Sequence, residues 1–298
     1  MATLRLCTLL ALLCSVFSLV GCERGANPAT PERPTDHAAP TPDSTGPRIV
    51  VLSPALGVML TDLGLADRVV GRHGWDAVLD QSLPVCGDQT GLDYEALLRA
   101  EPTHLLTEWG ARALPGRLTA LAAEHDWDVQ DFQILSLDDI ASASARLRAL
   151  FPDAAPADSM QRFERMVRGP PPEPIWQGRV LLLMGTSPIA ALGPGSAHHE
   201  LLLRAGGIPA IAEGSPYMPL HAEDVLRLAP DAIMLIQPRD ANTPRAPYEL
   251  GRIATLDISA IERDRIASVD HPQALLPSTR LVEVAEAMEQ SLRRWARH

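Results

Sequence analysis

Cysteine is scarce in this sequence, and most of it lies close to the amino terminus. The 298-residue chain has four cysteines, and only Cys86 lies beyond residue 22. A single cysteine cannot form an internal disulfide, a CxxC redox motif or a Cys-His metal cluster. We therefore interpret Cys86 as a packed or loop residue without chemistry of its own.

Basic and aromatic residues are also few. The chain has 26 Lys and Arg residues against 37 Asp and Glu residues, which gives a formal net charge of −11. It lacks the basic stripe that phosphate backbones require, so a nucleic-acid partner is excluded. Aromatic residues make up only 4 % of the chain, so two tryptophans at one predicted site are informative. The length and an apolar content of 46 % suffice for one large domain or two ordinary ones.

Long apolar runs are missing except near the amino terminus. Arg5 precedes an apolar stretch, residues 9–20, which is short for a membrane span and typical of a signal peptide. The stretch ends in LVGC, which resembles the lipobox of bacterial lipoproteins. We therefore expect a signal peptide over residues 1–21 and a diacylglycerol on Cys22. Such a protein would be anchored on the periplasmic side of a bacterial membrane.

Proline dominates the segment that follows, residues 22–47. Six prolines stand there among Thr, Ala and Asp, and this composition favours an extended spacer without a core. We interpret the segment as a tether between the lipid anchor and a folded domain.

Beyond residue 47, short apolar strands alternate with helices. This alternation predicts an α/β fold with parallel sheets and helices on both faces. In the first lobe, residues 48–136, we expect strands at RIVVLSP, 68–71, 104–107 and 128–132, and helices at ALGVMLTDLGL, 94–100 and 112–124. In the second lobe, residues 171–298, we expect strands at 179–185, 231–238 and 265–270, and helices at 198–207, 223–230 and 278–295. A helical linker, residues 137–170, joins the lobes and is interrupted by FPDAAP.

One short motif occurs in both lobes. EALLRAEPTHLL begins at Glu95 and EDVLRLAPDAIM begins at Glu223, and both pass through an arginine and a proline into an apolar run. We interpret each copy as a glutamate-led helix, a proline break and a core strand. Two lobes of similar build with a stiff connection would form a cleft, which is a common place for a small ligand.

The residues that follow the predicted strands are the candidate ligand contacts, because open parallel sheets bind ligands outside the carboxyl ends of their strands. They are Ser53, His73, Trp75, Glu108, Trp109 and Arg239, with Tyr217 added from a predicted loop before the second motif. Indole faces suit a large, flat, partly apolar ligand, and a lone arginine suits a carboxylate or phosphate. The alternatives are that the tryptophans cap the core, that His73 is an exposed loop residue rather than an axial ligand, and that Glu108 pairs with a basic neighbour.

The chain resembles the solute-binding proteins of ABC importers for cobalamin, iron-siderophores and haem. The matching segments are RIVVLSPALGVMLTDLGLADRVVG, GLDYEALLRAEPTHLLTEWG, ALGPGSAHHELLLRAGG, HAEDVLRLAPDAIMLI and RIASVDHPQALLPSTRLVEVAEAM, in this order. The resemblance implies two Rossmann-like lobes, a metal chelate bound between them, no intrinsic cofactor, and a monomer that delivers its solute to a permease. It also implies that Glu95 and Glu223 dock onto arginines of the permease subunits.

Two other classes of function stay open at this point. A bare transition metal would need three or four converging ligands, which His73, His199, His271 and Glu108 could supply. The two tryptophans argue against a naked ion. A secreted enzyme is the third class, but the sequence has no G-x-S-x-G, H-E-x-x-H or P-loop motif.

Overall fold

The computed structural model describes residues 46–88, 90–110, 112–239 and 250–297. The predicted signal peptide, the predicted lipidation site Cys22 and most of the predicted tether lie outside the described residues. Within those four ranges, no helix has both the length and the apolar character needed to cross a membrane.

The N-lobe, residues 48–136, is built on an open sheet of six strands. Its elements are β1 (Ile49–Val51), α1 (Pro54–Asp62), β2 (Val69–His73), β3 (Val85–Asp88), β4 (Gly91–Leu92), α2 (Tyr94–Ala100), β5 (His104–Thr107), α3 (Gly116–Glu124) and β6 (Asp128–Asp131). The strand order is β4-β3-β2-β1-β5-β6, and only the β3–β4 pair is antiparallel among these strands. The parallel strands therefore end at one side of the sheet, which we call the carboxyl edge.

Two helices, α4 (Leu137–Leu150) and α5 (Asp158–Arg168), follow the N-lobe. The break between them coincides with FPDAAP, in which two prolines interrupt helical hydrogen bonding. The helices fold back on each other through Glu164, which accepts hydrogen bonds from Ser144 and Arg148 at 3.2 Å each. The linker is thus a packed helix pair instead of one continuous helix.

The C-lobe, residues 171–298, repeats the α/β order with extra antiparallel strands. Its elements are β7 (Arg179–Thr186), β8 (Ile189–Leu192), α6 (Ala197–Arg204), β9 (Ile208–Pro209), β10 (Tyr217–Leu220), α7 (Ala222–Leu228), β11 (Ala232–Pro238), α8 (Ser259–Glu262), β12 (Ile266–His271) and α9 (Leu281–Trp295). The strand order is β10-β8-β7-β11-β12, with β9 beside β7. Strands β7, β11 and β12 are parallel, whereas β8 and β10 are antiparallel to their neighbours.

The predicted α/β fold with two sheets is confirmed, but its details need correction. The sheets are mostly parallel and not wholly so, because β4, β8 and β10 pair antiparallel with their neighbours. The short strands β3, β4, β8, β9 and β10 were not predicted. Residues near Tyr217 form strand β10, where a loop was expected. Helix α3 begins at Gly116 and not at Arg112, because Pro115 disfavours a helical conformation at the residue before it.

An apolar core runs through both lobes and the linker. It contains Val51 and Leu106 of the N-lobe sheet, Phe163 of α5 and Leu182 of β7, all at most 2 % exposed. Cys86 is also fully buried, and burial raises the pKa of its thiol to about 11. The interpretation of Cys86 as a packed residue is therefore confirmed.

A buried ion pair links the two lobes. Asp62, the last residue of α1, is buried, and it accepts hydrogen bonds from Thr279 Oγ1 at 2.6 Å and Arg280 Nε at 2.9 Å. Burial alone would lower the pKa of Arg280, but the Asp62 and Glu283 carboxylates outweigh it and raise the pKa. Removing one partner of such a pair would leave a buried charge without compensation.

The repeated motif has the same backbone geometry in both lobes. Helices α2 and α7 have seven residues each. Each ends at a non-glycine residue in the left-handed region, Glu101 with φ 44° and Ala229 with φ 43°. A proline follows in each case, and the chain then enters β5 or β11.

An arginine holds the carboxyl end of each of these helices. Arg48, which precedes β1, donates to the last carbonyl of α2 at 2.7 Å and to the Glu101 carbonyl at 2.9 Å. Arg179, which begins β7, donates to the last carbonyl of α7 at 2.9 Å and to the Ala229 carbonyl at 3.1 Å. These bonds satisfy carbonyl groups that a helix end leaves without partners. The repeat is therefore a helix clamped onto the first strand of its lobe.

Candidate functional site

The carboxyl edge of the N-lobe sheet contains a pocket of about 440 Å³. We call it the N-lobe pocket. Residues that follow four neighbouring strands contribute polar side chains to it, as the topology of a parallel sheet requires. The polar and aromatic lining residues are Ser53, His73, Asp88, Thr90, Glu108, Trp109 and Arg112. Four of the seven predicted ligand contacts, Ser53, His73, Glu108 and Trp109, thus come together.

Ser53, which is buried, and Glu108, which is half-buried, form a hydrogen-bonded pair that lines this pocket. The Ser53 hydroxyl caps α1 by accepting from the Leu56 N–H at 3.2 Å, and it donates to Glu108 Oε2 at 2.6 Å. Burial raises the pKa of Glu108; the hydrogen bond from Ser53 opposes the rise and the nearby Asp131 charge adds to it. Ser53 therefore orients Glu108, and the second oxygen of Glu108 is the group that can meet a ligand.

His73 ends β2 and is only 6 % exposed. Its Nδ1 accepts a hydrogen bond from the Trp75 N–H at 3.0 Å, so the neutral ring carries its proton on Nε2. Burial lowers the pKa of His73, against the opposing effects of Asp88 and Asp76, which favours this neutral form. A protonated Nε2 donates hydrogen bonds and does not coordinate a metal, which disfavours the axial-ligand role considered for His73.

Trp75 and Trp109 occupy different places beside this pocket. Trp75 is 68 % exposed and meets the His73 ring edge to face, with ring centroids 6.5 Å apart. Trp109 lines the N-lobe pocket, and the Arg112 guanidinium lies 5.1 Å from its ring centroid. The backbone N–H of Trp109 donates to Asp131 Oδ1 at 2.8 Å, which fixes the turn after β5. Trp109 therefore lines the cavity, whereas Trp75 contacts His73 and is not one of the lining residues.

The C-lobe candidates do not lie in the N-lobe pocket. Arg239 follows β11, and its N–H donates to the carbonyl of His271 at 3.3 Å, so these two residues share the carboxyl edge of the C-lobe sheet. His271 is occupied on both ring nitrogens, by Glu283 Oε2 at 2.7 Å and by the Gln273 N–H at 3.2 Å. We therefore assign His271 a structural role in anchoring α9.

Tyr217 lies away from this edge. It begins β10 opposite Leu192, whereas Leu220 at the other end of β10 lies opposite Ile189, next to the carboxyl end of β7. Tyr217 is 56 % exposed and presents its ring from an edge strand. The register of β10 therefore separates Tyr217 from Arg239.

No group of three or more His, Cys, Asp or Glu side chains within the described ranges could hold a metal ion. His199 lies on α6 with Nε2 3.2 Å from the Ile211 carbonyl oxygen, far along the chain from the N-lobe pocket. His73, His199 and His271 thus serve three separate local structures. The alternative of a bare-metal site built on these histidines is not supported.

Sequence reasoning missed several residues of the N-lobe pocket. Asp88 ends β3, a strand that the pattern VCGD did not reveal, and it holds Thr90 through Oδ1 at 2.7 Å from the Thr90 N–H. Arg112 was assigned to a helix and lies instead in the loop before α3. Pro115, at the end of this loop, was the available signal.

The predicted docking residues Glu95 and Glu223 are both exposed, each in the first turn of its helix. Since the arginine clamps place the carboxyl ends of α2 and α7 at the starts of strands, the amino ends of these helices lie toward the carboxyl edges. Each glutamate therefore lies on the same side of its lobe as the strand ends.

No protein-family model and no curated protein matches the sequence. Solved structures match the fold, and the periplasmic vitamin B12 binding protein BtuF of Vibrio cholerae does so with a TM-score of 0.57 and 19 % identity, over 84 % of this chain and 97 % of that chain. The periplasmic heme binding protein HutB of Vibrio cholerae matches with a TM-score of 0.61 and 17 % identity, over 84 % of this chain and 97 % of that chain.

A third match is a possible iron-binding periplasmic solute-binding protein from Staphylococcus epidermidis, with a TM-score of 0.62 and 16 % identity, over 82 % of this chain and 97 % of that chain. At these identities the likeness concerns architecture, and it extends over nearly the whole length of each solved chain. The chain therefore has the two-lobed α/β fold of periplasmic solute-binding proteins.

Proposed function

We propose that this protein is the solute-binding component of an ABC importer and that it captures a metal chelate. The candidate solutes are a corrinoid such as cobalamin, a ferric siderophore and haem. Proteins of the same fold are named as binding vitamin B12 and heme, and one is named as possibly iron-binding, whereas the siderophore is implied by the sequence resemblance. The observation that carries the proposal is the N-lobe pocket, where an indole ring and titratable side chains meet at the carboxyl edge of such a fold. Binding and not catalysis is proposed, since the Ser53 hydroxyl is engaged by a helix cap and by Glu108.

The solute would contact both lobes. On the N-lobe side, Trp75 and Trp109 supply apolar faces for a flat ligand, and Glu108 and His73 supply polar contacts. On the C-lobe side, Arg239 is placed at the carboxyl edge, where it suits a carboxylate or another acceptor group of the solute. Tyr217 is the weakest of the proposed contacts, since the register of β10 places it away from that edge.

The lobes would close little on binding. The shared apolar core and the buried Asp62–Arg280 pair restrict a wide hinge, whereas the loop between α4 and α5 is the place where the linker could bend. We expect small-angle scattering to give nearly equal radii of gyration with and without bound solute. A marked compaction would contradict a stiff connection.

We further propose that the protein is a monomeric lipoprotein processed at Cys22 and held on the periplasmic side of a bacterial membrane. The support is the charged start, the short apolar run and LVGC. The change Cys22→Ser should release the protein from membranes or leave it unprocessed. Unchanged membrane association and processing would refute the anchor.

The solute proposal is tested by ligand screening. The protein is titrated with cobalamin, haemin, ferric catecholate chelates and Zn²⁺ while tryptophan fluorescence is recorded. We expect saturable quenching by one of the chelates and none by Zn²⁺. Quenching by Zn²⁺ alone would favour the bare-metal alternative, and no binding of any ligand would reject the proposed solute class.

Docking onto the permease is proposed to involve Glu95 and Glu223. Both are exposed, and neither caps its helix: Asp93 Oδ1 accepts from the first N–H groups of α2, and Asp224 Oδ2 accepts from the His221 N–H before α7. We expect the double change Glu95→Ala and Glu223→Ala to abolish uptake while leaving folding and solute affinity nearly unchanged. Normal uptake by this double variant would show that the glutamates only begin helices.

A further inference from the structure

The clamped helices α2 and α7 present an apolar side chain beside each glutamate. Leu98 is 37 % exposed and Leu226 is 42 % exposed, each three residues after the glutamate of its helix. Residues three apart lie on the same helix face, so each leucine adjoins its glutamate. The opposite face is buried, through Leu97 in α2 and Val225 in α7. One exposed leucine beside one exposed glutamate thus recurs in both lobes.

The chain offers no local reason for this exposure. Leu97 and Val225 already fill the inward positions, and the residue that follows each of them is turned outward. The exposure is also not a result of fraying, since the carboxyl end of each helix is held by Arg48 or Arg179. A single exposed leucine needs no explanation, but an exposed leucine at equivalent positions of two lobes does.

The ion pairs of these helices leave the face available for a partner. Glu95 meets Arg99 only at 3.7 Å, with both side chains more than 70 % exposed, which is a weak surface pair. In the other lobe, Arg227 pairs with Asp224 at 3.0 Å and not with Glu223. A positively charged side chain of a partner would therefore meet only weak competition for either glutamate from the arginines of these helices.

We propose that Leu98 and Leu226 are a matched pair of apolar docking contacts, which together with Glu95 and Glu223 form two copies of one footprint for a membrane permease with two equivalent subunits. The proposal rests on the proposed function and adds to it the apolar half of the footprint. Two copies of one surface call for a partner that offers the complementary surface twice. That surface would be an apolar socket next to an arginine or lysine, since each copy pairs a leucine with a carboxylate.

Site-specific photo-crosslinking of the full-length protein in intact cells tests this footprint. A benzophenone amino acid replaces Leu98, Leu226 or, as a matched control, Leu203, a leucine of α6 that is 42 % exposed. We expect adducts at positions 98 and 226 with one and the same integral membrane polypeptide, and none with it at position 203. Different partners at the two positions, an adduct with a second copy of this chain, no adduct, or the same adduct at position 203 would overturn the proposal.

Replacing both leucines with serine measures how much they contribute to binding the membrane polypeptide. The double change Leu98→Ser and Leu226→Ser should lower co-purification of the crosslinked membrane polypeptide about ten-fold, the loss typical of buried interface contacts. The control Leu203→Ser should leave it unchanged, and an unchanged yield for the double variant would overturn the role of the leucines. Neither readout uses a solute, so failure of the ligand screen would reject the solute class while leaving this result standing.

Discussion

Helix α2 of the N-lobe and helix α7 of the C-lobe end alike but begin differently. At their carboxyl ends, both have an arginine clamp, a left-handed non-glycine residue and a proline. At their amino ends, α2 is capped by the Asp93 side chain, whereas Asp224 within α7 receives the His221 N–H. The two lobes thus reach a similar helix start with different residues, while the exposed glutamate and leucine are kept. Neither glutamate acts as a cap, and what both share in helix initiation is a carboxylate in the first turn, which favours the helix dipole.

The lobes also differ at their carboxyl edges. The N-lobe edge holds a pocket with a buried histidine, a half-buried carboxyl group and an indole ring. The C-lobe edge places Arg239 next to His271, which is engaged by Glu283. Similar scaffolds therefore carry different chemistry, which is what recognition of an asymmetric solute requires.

The largest expected effect concerns the aromatic residues of the two lobes. The double change Trp75→Ala and Trp109→Ala should weaken solute binding by ~1–3 kcal/mol, or about five- to one-hundred-fold. Tyr217→Ala should change it far less, although Tyr217 is also strongly exposed at 56 %. Titration calorimetry with the solute found by screening measures the affinity of both variants. Equal losses for the two variants would mean that the aromatic contribution is shared between the lobes.

The two arginine clamps provide the next comparison. Arg48→Ala and Arg179→Ala should each lower the free energy of unfolding by roughly 0.5–1.5 kcal/mol, because each removes largely exposed hydrogen bonds to two carbonyl groups. Urea unfolding measures the loss, and Arg252→Ala, at an exposed arginine, is the control. A loss for one clamp only would show that the two helices are not equivalent in energy.

Each lobe also contains a buried histidine, His73 in the N-lobe and His198 in the C-lobe. Burial lowers both pKa values below 6.5. Their contribution to stability is therefore complete above pH 6.5 and is lost as the pH falls through the lowered native values, by at most about 1.4 kcal/mol per pH unit and histidine.

The variant His198→Gln should flatten this loss, because an amide can still donate to the Ala274 carbonyl, which lies 2.7 Å from His198 Nε2. Denaturant unfolding at pH values from 7.5 down to about 5 gives the comparison, since this interval spans the ordinary histidine value. A variant that loses stability with acid as steeply as the unmodified protein would exclude His198 as a source of the pH dependence.

The smallest expected effect concerns the left-handed residues that end α2 and α7. Glu101→Gly and Ala229→Gly should each raise the free energy of unfolding by about 0.5–1 kcal/mol, since glycine adopts positive φ without steric cost. Thermal unfolding of each single variant measures the gain. A destabilised Glu101→Gly beside a stabilised Ala229→Gly would reveal a role for the Glu101 side chain that Ala229 lacks.

Much of the fold was predictable because it follows from local pattern. The bounds predicted for α2 and β5 agree with the structure, since a capping aspartate, an apolar helix face and a proline lie within a few residues of each other. The short strands β8 and β10 were missed, because IAAL and YMPL are brief and their pairing depends on neighbours elsewhere in the sheet. Strand propensity is too dependent on context to reveal such segments.

The candidate site was predictable only in part. Ser53, His73, Glu108 and Trp109 were named because each was predicted to follow a strand closely, and the topology of a parallel sheet places residues at strand ends together. Asp88 and Arg112 reach the same pocket from segments whose structure the sequence pattern did not reveal. Tyr217 was expected in a loop and lies instead in strand β10, whose place depends on the register of an antiparallel pair.

The sequence by itself determined the α/β alternation, the break in the linker and the repeated helix–proline–strand motif, because each is specified by neighbouring residues. The tertiary structure alone decided that Arg48 and Arg179 clamp the repeated helices and that Asp62 pairs with Arg280 across the lobes. It also decided that Leu98 and Leu226 face outward together with their glutamates. These features join residues that are far apart in the chain, so they exist only once both sheets have brought the distant segments into contact.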